Sequence, residues 1–147
     1  MAFDTGYLDD PQKVGAGERF GNNNNIVLTA RTFENGLKMG HFAKLDTGSL
    51  DNLDTSATPV IAGVVLRNPA APVEDGATVD ANLYGQVEYI RQGLVTVRVA
   101  TGETPAQFGA VYADNATGEA TATDTDIAVS GEFIEEVQDG VWLIRLY

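Results

Sequence analysis

The chain has 147 residues, 44% of them hydrophobic and 20% charged, a balance that sets it among globular proteins and apart from disordered ones. At that length one domain is expected. Nine Lys and Arg against 21 Asp and Glu give a formal charge of −12, which excludes nucleic acid as a natural partner, because backbone binding needs clustered positive charge to release counterions.

There is no cysteine, so disulfides, thiolate zinc sites and cysteine nucleophiles are ruled out. The start, MAFDTGYLDD, carries acids where a signal peptide needs basic and apolar residues, and the longest apolar run, 60–66, is too short to cross a bilayer. Neither an export signal nor a membrane partner is expected.

Residues 1–25 show no hydrophobic period. Gly, Asp, Pro and Asn dominate, and Phe3, Tyr7, Val14 and Phe20 are too widely spaced to build a core, so this stretch is predicted to be an extended N-terminal arm that anchors at points on another surface. Residues 26–147 are predicted to form a single β domain. Ile26, Leu28 and Ala30 alternate with Val27, Thr29 and Arg31, as in a half-buried strand. His41, Ala43 and Leu45 alternate with Phe42 and Lys44 and predict a strand over 39–45. Asp46 should end that strand in an Asx turn with Gly48 at positive φ, and a polar loop should follow to Pro59.

Val79, Ala81 and Leu83 predict a further strand, and Val95, Val97 and Val99, opposite Thr96 and Arg98, predict another over 94–100. Within 132–138, Phe133 and Val137 stand at helical spacing, and a single helical turn is expected there. The closing run, 141–147, is apolar on both faces except at Arg145, which predicts a strand that is internal or covered by a partner. Asn35-Gly36, Asp75-Gly76, Gln92-Gly93 and Asp139-Gly140 fall between apolar runs and are predicted to be turns. The fold class that follows is all-β, an antiparallel β-sandwich or jelly-roll-like barrel.

Chemistry is nearly absent. Asp46-Thr-Gly48 and Asp4-Thr-Gly6 each resemble the catalytic triplet of an aspartic protease, which needs two carboxylates sharing one proton. The two triplets stand too close in the chain for a single-chain enzyme, and Asp4 has no strand before it. Only a dimer pairing Asp46 with its symmetry mate passes the length test, and a turn role explains Asp46 more simply. His41, the sole histidine, falls on the face of Ala43 and Leu45, where a hydrogen-bonded structural role is expected. The acids Asp124, Asp126, Glu132, Glu135, Glu136 and Asp139 lack the spacing of a calcium loop and read as a solvated rim. No phosphate-cradling loop is present, so no cofactor and no metal are expected.

The backbone-shaping positions carry a resemblance. Phe3-Asp-Thr-Gly6-Tyr7, Gly15-Ala-Gly17, Gly36-Leu-Lys-Met-Gly40-His-Phe42-Ala-Lys44, Val60-Ile-Ala-Gly63-Val-Val-Leu66 and Tyr84-Gly85-Gln-Val87 run through the first part. Gln92-Gly93-Leu-Val-Thr-Val97-Arg-Val99, Gly109-Ala-Val111-Tyr112, Gly131-Glu-Phe133 and Gly140-Val-Trp142-Leu-Ile144-Arg-Leu146 complete it. Together they resemble the capsid cement, or decoration, proteins of tailed bacteriophages. Leu8 follows Tyr7 where that pattern has Pro, and Pro comes only at Pro11.

The resemblance implies a β-sandwich or jelly-roll-like body on the outer surface of the assembled icosahedral head. There it would lock adjacent subunits of the major capsid protein, and a dimer or trimer at local symmetry axes would suit such a lattice. Phe3, Tyr7, Arg19 and Phe20 of the arm are the expected shell contacts. The alternative is a small β-sandwich binding module, for carbohydrate or as a piece of a virion fibre. Sugar binding needs an exposed aromatic platform, whereas Tyr84, Tyr89, Tyr112 and Trp142 fall mostly at core-like phases.

Overall fold

The computed structural model describes residues 16–21, 25–32, 37–55, 59–67 and 86–147. The predicted strand at Val79–Leu83, the turns at Asn35-Gly36 and Asp75-Gly76, and residues 1–15 of the arm lie outside them. Ten strands are described: β1 (Arg19–Phe20), β2 (Ile26–Arg31), β3 (Phe42–Asp46), β4 (Ser49–Asn52), β5 (Ile61–Val65), β6 (Gln86–Arg98), β7 (Ala110–Ala113), β8 (Ala120–Thr121), β9 (Ile127–Gln138) and β10 (Val141–Leu146). They make one mostly antiparallel sheet, and the all-β expectation is borne out.

The order along the sheet is β2-β4-β3-β5-β6-β10-β9-β7-β8, with β1 added on β6 and β2 pairing β6 as well. That extra pairing closes a circuit of β2, β4, β3, β5 and the first half of β6; its weakest link is one parallel pair, Arg31 with Ser49. All five strands turn side chains into one cluster of Ala30, Ala43, Leu50, Ala62, Val65, Val87 and Tyr89, joined by Leu37. The second half of β6 continues into β10, β9, β7 and β8, and a bridge from Val99 to Ala120 brings β8 back to the end of β6. A larger cluster fills the space between the two halves: Phe42, Val64 and Ile90 from the first meet Val95, Val97, Val111, Phe133 and Ile144 from the second.

One strand therefore serves both halves. Gln92-Gly93, predicted to be a turn, lies inside the 13-residue β6. Gly93 has φ +123°, and a Cβ there would overlap Oδ1 of Asn25. The glycine is needed because another segment passes close to the backbone where the strand changes partners, and not because the chain reverses.

Two further expectations are corrected. Residues 132–138 belong to β9 and form no helical turn: Phe133 is buried opposite Ile144, and two register shifts between β9 and β10 disturb the alternation that would have betrayed a strand. Ser49–Asn52 is β4, not loop. Thr47 (φ +45°) and Gly48 (φ +84°) make a two-residue reversal that pairs Asp46 with Ser49, and Leu50 is fully buried. The positive φ expected at Gly48 is present, as is the Asp139-Gly140 turn between β9 and β10. β10 is internal, held by β6 on one side and β9 on the other.

Candidate functional site

Residues 16–20 are stitched to the body. The N–H of Gly17 donates to the carbonyl of Thr96 (2.7 Å), and the N–H of Thr96 donates to the carbonyl of Glu18 (2.8 Å). The fully buried Thr96 hydroxyl accepts from the Glu18 N–H at 2.9 Å, and the Glu18 carboxylate takes Nη1 of Arg67 at 2.9 Å. Asn25 clips the far end: its Nδ2 donates to the carbonyls of Phe20 and Gly21, and its Oδ1 accepts from Leu94 N–H. With the backbone fixed in this way, the side chains of Arg19 and Phe20 are both exposed.

Phe20 begins a row. The register pairs Phe20 with Leu94, Leu94 with Arg145, Arg145 with Glu132 and Glu132 with Ala110, so one side chain from each of five strands lies side by side on the face away from Val95, Ile144 and Phe133. Strand spacing makes the row about 19 Å long. Arg145 and Glu132 form an ion pair in its middle, with Nη1 3.3 Å from Oε1. Near the β7 end stands the strongly exposed Phe108 (64%), two residues before Ala110, while the equally exposed Tyr147 (61%) follows the middle strand, its N–H donating to the Ser130 carbonyl. Partial desolvation and a hydrogen bond to the Glu132 carboxylate push the Tyr147 phenol above its ordinary value.

Of the four residues expected to contact a partner, Phe3 and Tyr7 lie outside the described residues, Phe20 stands at one end of this row, and Arg19, paired with Val95, is exposed but off the row's face. Phe108 and Tyr147 were not foreseen. The signal for Phe108 was a large apolar residue between Pro105 and Gly109, in a stretch with no strand pattern to bury it.

The residues that hinted at chemistry have structural settings. Asp46 is exposed at the hairpin between β3 and β4. His41 donates from Nδ1 to the Met39 carbonyl at 3.1 Å, and its Nε2 is 3.9 Å from the Glu119 carboxylate. Burial, opposed by the bond to Met39, lowers its pKa to about 4, so the ring is neutral at neutral pH. A polar groove of about 340 Å³ is lined by Arg98, Glu103, Glu119, Glu136 and Asp139 beside Trp142. Among the described residues no three His, Asp or Glu side chains converge as metal ligands. Tyr89 is buried, and Trp142 packs edge-on against Phe133 at 5.5 Å, so neither offers a flat sugar platform.

A family model described as XM1 gp53 minor capsid protein matches residues 3–146. A chain from the solved structure "The capsid of Myoviridae Phage XM1" is 34% identical, with a TM-score of 0.82 over 99% of this chain and 98% of that one. No curated protein matches. Backbone and sequence agree over practically the whole length. The chain belongs to the XM1 gp53 minor capsid protein family and is a structural component of a tailed-phage head, not an enzyme.

Proposed function

We propose that this minor capsid protein is a cement protein, bound to the outer surface of the assembled head and holding adjacent major capsid protein subunits together. A protein that binds the assembled shell and not its separated subunits stabilises the assembly by mass action, and many copies make the effect collective. The charge of −12 suits an outer position, away from packaged phosphate. The observation that carries the reading is the outward presentation of Arg19 and Phe20 from a strand that pairs with β6 and is anchored to it through Gly17 and Glu18. Such a strand holds two contact side chains ready and gives the preceding residues, with Phe3 and Tyr7, a fixed point of departure toward a neighbour. A dimer or trimer at a local symmetry axis would present this patch to equivalent subunits.

The test is to mix purified protein with undecorated heads and image them. Density outside the shell, bridging neighbouring subunits, is the expected result; density inside, or none, would refute the reading. A truncation ahead of Ala16 leaves β1 in place and should still fold while coating heads weakly. Removal through Asn25 is the poorer test, because it strips Thr96 of its β1 partners.

A further inference from the structure

Phe108 is held where a glycine would sit more easily. Its φ is +62°, in the left-handed region that side chains with a Cβ avoid. The loop gives it no choice: Phe108 N–H donates to the Phe133 carbonyl (2.6 Å), Phe133 N–H donates back to the Gly109 carbonyl (2.9 Å), and Gly109 N–H donates to Ala106 (2.9 Å). Farther along, the Glu103 carboxylate accepts from Ala122 N–H and the Thr123 hydroxyl, tying the other end of the loop to the residues after β8. The backbone bonds need this conformation but not a phenyl ring, which is 64% exposed and packs little against the fold. A rigid loop that spends strain to hold an aromatic in water is preorganised for a partner.

Charge selects that partner. Between Val99 and Ile144 there are nine carboxylates and no Lys or Arg, and Arg145 is already paired with Glu132. Two copies, each with a formal charge of −12, repel, which disfavours self-association through this end. The complementary occupant has an apolar pocket with a basic rim. We propose that Phe108 inserts into such a pocket on a subunit of the head's shell, with Glu132 of the adjacent strand toward the rim; this makes a second contact, toward the opposite end of the row from Phe20. The shell as partner rests on the cement reading above.

Wild type, Phe108→Gly and Phe108→Leu are titrated onto undecorated heads at low and high salt, with thermal melts and sedimentation velocity on the free proteins. Phe108→Gly should melt at the same or a higher temperature, because the strain is relieved, yet bind heads at least about tenfold more weakly. Phe108→Leu should lose less, and high salt should weaken the wild type. Wild-type binding that Phe108→Gly leaves unchanged overturns the proposal and spares the cement reading. Failure of the wild type to bind sinks both. Dissociation of a free oligomer by Phe108→Gly, with head binding intact, would make a second copy the occupant and equally overturn the proposal.

Discussion

The two halves of the sheet bury their side chains differently. In the β2-to-β6 circuit, residues from both faces are buried: Ala43, Leu50 and Val65 on one side, Phe42, Val64 and Ile90 on the other. In the half built from β10, β9 and β7, one face packs and the other carries Arg145 and Glu132 beside Phe20 of β1, with Phe108 and Tyr147 exposed close by in sequence. The first half still leaves Ile26, Leu28, Leu45 and Val60 exposed, but its strands are packed from both sides. On the proposed reading the first half is the scaffold, and the second presents the contact surface.

Core truncations should break both halves at once. Phe133→Ala removes a fully buried ring and its edge contact with Trp142 and should cost about 3–5 kcal/mol; Leu50→Ala, in the other cluster, should cost about 2–5 kcal/mol. Because β6 runs through both halves, each variant should melt in one transition, and two separated transitions would show that the halves are independent.

Acid should attack the seam. His41 lies where Phe42 N–H donates to Gly118 across the halves, and its folded pKa of about 4 is below the unfolded 6.5. Its stabilising contribution is complete above pH 6.5 and is lost as the pH falls through that window to about 4, roughly 3 kcal/mol in all. Glu119, raised by its own burial and then by Asp114, acts in the opposite sense and offsets part of the loss. Lys38 and Arg98 add to the lowering at His41. His41→Gln should flatten the pH dependence of stability between 6.5 and 4; an unchanged slope would assign it to other groups.

Gly93→Ala tests the shared strand itself. The new Cβ meets Asn25, and the φ is unfavourable, so a loss of roughly 2 kcal/mol is expected in denaturant melts. Phe20→Ser should be nearly silent, within about 0.5 kcal/mol in stability, while reducing head coating, which separates the presenting face from the scaffold.

Strands with one buried face were legible. β2 and β10 stand where alternation or continuous apolarity predicted them, although β2 turns Val27 toward the main cluster and leaves Ile26 and Leu28 exposed. β4 was hidden because Ser-Leu-Asp-Asn offers a single apolar residue, Leu50, and its strand character comes from the hairpin. β9 was misread around Phe133 because bulges place Glu135 and Glu136 next to each other in solvent, which mimics a helical face. Gly93 looked like punctuation because sequence cannot distinguish a glycine that reverses the chain from one that yields space to a neighbour. On the contact face, Phe20 was visible as an apolar residue without a core. Joining it to Arg145 and Glu132 required the register of the strands between them.

The passage of β6 through both circuits also has a mechanical meaning. Its 13 residues, about 40 Å in contour, are flanked by antiparallel neighbours in each half. A head swollen by internal pressure would pull the proteins attached to it sideways, and tension along β6 loads those neighbours in shear, many hydrogen bonds sharing the force together, where peeling would break them singly. Optical-trap stretching along that axis should give one abrupt high-force rupture, and a staircase of small ones would mean the strand is no tie-rod.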